Sequence, residues 1–173
     1  MDDAQTIFDI VTRGHEQTVR IGSLFASVLH PGDLIAMSGQ LGAGKTQFVR
    51  GLAVGIDADE RLVSSPTFVM MQEYAGRIPL IHIDAYRIES LDELESIGWS
   101  DELLHDSVVA IEWSERIESE LPSDRWRVEL SHVDEAERRI RISAEGKNCG
   151  RLPTAIKLLT ESFEESTVMQ INE

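Results

Sequence analysis

The stretch Met37-Ser38-Gly39-Gln40-Leu41-Gly42-Ala43-Gly44-Lys45-Thr46-Gln47-Phe48 constrains this chain more than any other. From Gly39 to Thr46 it satisfies G-x-x-x-x-G-K-[ST] at every fixed position, a pattern that chance produces in roughly one in a hundred chains of this length. The spacing has a chemical reason. Glycines let the backbone wrap closely, so that successive N–H groups point inward at phosphate oxygens. A helix opening at the end of the loop adds its positive N-terminal dipole. In such a loop Lys45 reaches the β- and γ-phosphates, and the Thr46 hydroxyl ligates Mg²⁺. The flanks suit this reading: "DLIAMSG" is a short buried strand and "GKTQFVRGLAVGI" a helix that closes on Gly55. The chain is therefore expected to bind a nucleoside triphosphate through Gly39, Gln40, Leu41, Gly42, Ala43, Gly44, Lys45, Thr46 and Gln47.

Strands and helices alternate around this loop. "TIFDIVT" alternates well enough for a first, edge strand. In "HEQTVRIGSLFASVL", Val19, Ile21, Leu24, Phe25 and Leu29 recur at helical spacing, and "HPG" stops the run. "SSPTFVMMQEYAG" reads as a loop passing into a strand, and "IPLIHID" and "SVVAIEW" as buried strands. "SLDELESIGWSDELLHD" carries one helix or two between them. "WRVELSHVD" and "RRIRISAEG" alternate with period two, which predicts an antiparallel hairpin. "PTAIKLLTESF" is a closing helix, and about 160–173 reads as a frayed acidic tail. The expected fold is a single domain over 1–173: an α/β, P-loop NTPase-like three-layer structure. Its mostly parallel sheet is flanked by helices and extended by a C-terminal antiparallel hairpin.

A metal at such a loop needs carboxylate help. Asp84 ends "PLIHID" and Glu112 ends "VVAIE", each an acid at the C-terminal end of an apolar strand, which is where ligands sit in open α/β sheets. One acid is expected to hold Mg²⁺ and the other to orient the attacking water. Pattern alone does not divide these roles. "SSPTF", from Ser64 to Phe68, reads either as a Ser-Pro turn or as a switch loop whose Thr67 hydroxyl approaches the γ-phosphate or Mg²⁺. Trp113 and His82 read as core residues on pattern.

Charge narrows the partners. Thirty-one Asp and Glu against 16 Lys and Arg leave −15, a surface that repels nucleic acid and anionic membrane. The single Cys149 excludes an internal disulfide and fits a reducing cytosol. The N-terminal segment has two acids where a signal peptide needs a basic region, and no segment has the apolar length of a membrane span. A cytoplasmic protein is expected. No N-K-x-D guanine-reading element and no arginine-rich lid is present.

"GQLGAGKT", "SSPTFVMMQEY", "HIDAYRI" and "IEWSERI", in this order and spacing, closely resemble the TsaE (also YjeE) family. That family consists of small bacterial P-loop ATPases that serve threonylcarbamoyladenosine modification of tRNA. The resemblance runs from about Thr18 to Glu118. It implies ATP and Mg²⁺ at the loop, and work in a complex with TsaD and TsaB, which transfer threonylcarbamoyl to adenosine 37 of certain tRNAs. Contact with tRNA would then be indirect. Residue by residue, it implies Thr46 and Glu112 as Mg²⁺ ligands, and Lys45, Asp84 and Thr67 as the catalytic set. It places Trp113 close enough to report nucleotide, and His15, Glu16 and Arg138 at the border of the adenine. The chain departs from the family pattern at Gln40, where an acid is usual, and at Ala85, where a bulky apolar residue is usual. Outside the resemblance, a small-molecule kinase is the alternative reading, and a nucleotide-dependent binding module without turnover is a third.

Overall fold

The computed structural model describes residues 7–68 and 70–162; the expected acidic tail beyond residue 162 lies outside them. Seven strands form one sheet: β1 (Phe8–Arg13), β2 (Leu34–Ser38), β3 (Met71–Tyr74), β4 (Leu80–Asp84), β5 (Val108–Glu112), β6 (Trp126–His132) and β7 (Glu137–Ala144). Their order is β1-β7-β6-β2-β5-β4-β3. The four central strands β6, β2, β5 and β4 run parallel, while β3, β7 and β1 are antiparallel to their neighbours. The expected class holds, with more antiparallel edge than the hairpin alone supplies. A turn at Ala75-Gly76 folds β3 back onto β4, and β1 closes the far edge on β7. There Arg139 clamps the buried Asp9 through two bonds of 2.8 and 2.6 Å.

Helices cover both faces. On one lie α1 (His15–Phe25), α2 (Lys45–Gly55) and α5 (Leu152–Glu161); the other is covered by α3 (Leu91–Ser96) and α4 (Asp101–Asp106). Ser90 and Ser100 cap the two short helices, each accepting a backbone N–H three residues on; this explains why that segment splits in two. Among the described residues no helix is long and apolar enough to cross a membrane.

Strand parity then decides what faces the glycine loop. Successive side chains of a strand point to opposite faces. In β5, Val108 and Ala110 lie in the core beneath α1, α2 and α5, whereas Val109 and Ile111 lie in the core beneath α3 and α4. In β4, Leu80 belongs to the first core, and Ile81 and Ile83 to the second. Glu112, His82 and Asp84 therefore fall on the α2 face. Parallel pairing sets Asp84 directly beside Glu112.

Helix α2 sits tightly on α1. A Cβ on Gly51 would stand 2.2 Å from the Val19 carbonyl oxygen, and one on Gly22 would stand 2.4 Å from that of Phe48. The helices meet backbone to backbone at these glycines, and that contact fixes where the glycine loop ends.

Candidate nucleotide site

The loop leaves β2 at Ser38 and enters α2 at Lys45. Two glycines are required for different reasons. Gly44, with φ 104°, is the left-handed residue just before the helix. Gly39, with φ 139°, passes so close to β6 that a Cβ would lie 2.1 Å from the Leu130 carbonyl oxygen. Ala43 is wholly buried in the core, so it contributes backbone to the cradle and anchors it. Leu41 stands exposed at the mouth, its carbonyl 3.2 Å from His132 Nε2.

Lys45 is only 4% exposed. Its Nζ donates to the carbonyls of Gly39 (2.5 Å) and Gln40 (3.0 Å), and it lies 3.7 Å from the centre of the Trp113 ring. Trp113 holds φ 61° and ψ 36°, a left-handed conformation that costs an L-residue roughly 1–2 kcal/mol. Tyr86 meets the same indole edge-on, with ring centres 5.1 Å apart. Trp113 thus lines the hollow beside the loop, whereas pattern alone makes it a core residue.

Burial pushes the Lys45 ammonium below its ordinary pKa of 10.5, and this outweighs the opposing pull of Glu112, Glu115 and Asp84. Between the lowered native pKa and 10.5 the native chain binds fewer protons than the unfolded one, so Lys45 makes stability rise with pH across that window. Lys45→Met is expected to flatten this rise, as read from urea midpoints between pH 7 and 10.5. Parallel pH curves for the two proteins would refute it.

The two acids take separate partners. Thr46 Oγ1 donates to Glu112 Oε1 at 2.7 Å. Asp84 Oδ2 accepts from Thr67 Oγ1 at 2.9 Å, and its Oδ1 from the Tyr86 backbone N–H at 2.9 Å. Ser65 Oγ is 2.7 Å from Thr67 Oγ1. The Ser64–Phe68 loop is therefore more than a Ser-Pro turn, because its threonine touches the second acid. Gly42, Lys45, Thr67, Asp84, Glu112 and Trp113 are among the residues that enclose a hollow of about 300 Å³. Gln47 lines both this hollow and a neighbouring one of about 410 Å³, which His15 and Glu16 line with Arg50. Arg138 lines neither hollow, but its Nε bonds the Gly42 carbonyl of the glycine loop at 3.4 Å, and its Nη1 bonds carbonyls of its own hairpin turn.

The donor set suits Mg²⁺. Among the described residues no three His, Cys, Asp or Glu side chains form a metal cage of their own. A hydroxyl and a carboxylate oxygen 2.7 Å apart stand instead beside a phosphate cradle. That pairing suits a hard cation held by one or two protein oxygens plus phosphates and water.

Sequence reasoning missed one residue of this cluster. His82 is fully buried, as pattern predicts, yet its Nε2 lies 2.8 Å from Glu112 Oε1. Its i, i+2 relation to Asp84 on one strand face was the available signal.

Residues 12–140 match the family model for "Threonylcarbamoyl adenosine biosynthesis protein TsaE". The chain is 39% identical over 132 residues to the tRNA threonylcarbamoyladenosine biosynthesis protein TsaE of Bacillus subtilis, covering 76% of this chain and 82% of that one. It is 42% identical over 132 residues to the TsaE of a Nostoc species, covering 74% and 80%. The crystal structure of YdiB from Bacillus subtilis superposes with a TM-score of 0.72 at 30% identity, covering 93% of this chain and 99% of that one.

Proposed function

Because this chain belongs to the TsaE family, we propose that it is the Mg²⁺-dependent, ATP-hydrolysing subunit of tRNA threonylcarbamoyladenosine biosynthesis. It acts on a TsaD–TsaB transferase complex and does not itself transfer the threonylcarbamoyl group. The observation that carries this reading is the Thr46–Glu112 contact at 2.7 Å inside the glycine cradle. It joins the loop's hydroxyl to a strand-end acid 66 residues away.

The division of labour follows from the partners of each group. The backbone N–H groups from Gly42 to Thr46 and the start of α2 bind the phosphates. Lys45, partly desolvated by burial, supplies a positive charge at the phosphates. Thr46 and Glu112 hold Mg²⁺, which when bound neutralises phosphate charge. Asp84 is an acceptor fixed by the Tyr86 N–H, so it is suited to orient the O–H of an attacking water. Thr67 links that acceptor to the Ser64–Phe68 loop, which makes the loop sensitive to what occupies the γ-phosphate position. The net negative charge fits a chain that leaves tRNA contact to its partners.

Free phosphate release from Mg-ATP, with and without TsaD and TsaB, tests the reading. Slow release by the chain alone, rising clearly with both partners and with no other phosphorylated product, is expected. A phosphorylated acceptor accumulating in step with ADP would mean a small-molecule kinase instead. Stimulation of the partners by bound but uncleaved ATP would mean a binding module.

A further inference from the structure

A buried imidazole has two nitrogens to satisfy, and those of His82 are spent on the site. Nε2 lies 2.8 Å from Glu112 Oε1, and Nδ1 lies 3.4 Å from the Tyr74 hydroxyl. Tyr74 is itself buried; its hydroxyl is 3.1 Å from Gln72 Oε1 and 3.5 Å from the Ser64 carbonyl. Burial holds that phenol above its ordinary pKa of 10, so it stays a protonated donor.

Glu112 Oε1 thus receives two donors from two different elements, Thr46 of α2 and His82 of β4. Among the described residues Oε2 has no hydrogen bond. Two bonds on one oxygen fix the rotation of the carboxylate, and they leave the other oxygen directed by geometry alone. A carboxylate oxygen accepts, so this bond uses an N–H at His82 Nε2, and Nδ1 is left facing the Tyr74 hydroxyl, whose single proton is shared with Gln72 Oε1 and the Ser64 carbonyl.

Resting on the proposed Mg²⁺–ATP site, we propose that His82 is the positioning residue for Glu112, oriented in turn by Tyr74. The Tyr74–Ser64 contact ties this chain to the loop that carries Thr67. Strand β3 would then be the arm through which loop and metal carboxylate feel one another. Outer partners of metal ligands commonly matter about 10–100-fold in metal affinity, and a merely space-filling histidine would not.

The test is Mn²⁺ binding to the ADP complex of the full chain, followed by electron paramagnetic resonance, beside calorimetric ADP binding in EDTA. His82→Leu is expected to weaken Mn²⁺ about 10–100-fold while metal-free ADP binding stays unchanged. His82→Gln, which returns an N–H donor, is expected to restore most of the Mn²⁺ affinity. Wild-type Mn²⁺ affinity in His82→Leu, or a Gln variant as weak as Leu, would overturn the proposal. Should His82→Leu fail to fold, Tyr74→Phe removes only the outer hydroxyl. It is expected to weaken Mn²⁺ several-fold, and an unchanged affinity overturns the inference. Wild-type chain that binds ADP but shows no Mn²⁺ dependence would instead sink the Mg²⁺ site itself, and this inference with it.

Discussion

Lys45→Met is expected to lower Mg-ATP turnover in the partner-stimulated assay by about 10²–10³-fold, the usual cost of removing one preorganised charge donor at a reacting phosphate. The substitution conserves length and apolar stem, so the fold has no large cavity to absorb. Lys45→Arg is not expected to rescue it. The residue is only 4% exposed, its ammonium wedged between two loop carbonyls and an indole ring 3.7 Å away, and a planar guanidinium is too wide for that slot. Nucleotide affinity should be read by calorimetry, because removing a cation from above Trp113 alters the fluorescence of the free protein. Turnover within a few-fold of wild type would show that the loop is not a catalytic phosphate site.

The second large effect is on stability, and its sign runs against helix propensity. In an open helix position Gly→Ala stabilises by about 1 kcal/mol. At Gly51 the added methyl would meet backbone on two sides, the Val19 carbonyl oxygen at 2.2 Å and Gly22 Cα at 2.9 Å. Neither is the far end of a flexible side chain, so α1 and α2 must part. Overpacking of this kind costs about 1–3 kcal/mol or more, against a total stability of roughly 5–15 kcal/mol. We expect Gly51→Ala to lose about 3 kcal/mol, a fall of about 6–12 °C in Tm for a chain this size. ATP binding should weaken as well, because α2 carries the end of the loop. Gly150→Ala, where the added Cβ meets nothing within 4 Å, is the control and should change little. Equal melting temperatures for the two variants would refute the close-contact account.

The same local-versus-distant distinction separates what could be read early from what could not. The glycine loop was legible because its chemistry is contiguous: cradle, lysine and hydroxyl lie within eight residues, bounded by a strand and a helix. Asp84 and Glu112 were legible as strand-end acids, since apolar runs mark the strands and their last residues stand out. The β6–β7 hairpin and the first helix followed from periodicity, which is a property of neighbouring residues.

Which acid serves which hydroxyl was not legible, because Thr46 meets Glu112 across 66 residues and Thr67 meets Asp84 across 17. Those pairings come from the strand order β2-β5-β4 and its register, and long-range pairing leaves no mark within either strand. His82 was set aside for the same reason. Alternation shows that it points inward, but only the β4–β5 register, which pairs His82 with Ala110 and Asp84 with Glu112, turns an inward histidine into a partner of Glu112. Gly51 lies within a helical run, and only the approach of α1 makes its missing side chain necessary. The sequence by itself determined that this chain has a phosphate loop, two strand-end acids and an α/β frame, because each is written in residues that are neighbours along the chain. The tertiary structure alone decided the wiring among them, because hydrogen bonds and helix contacts are made between residues that only folding brings together.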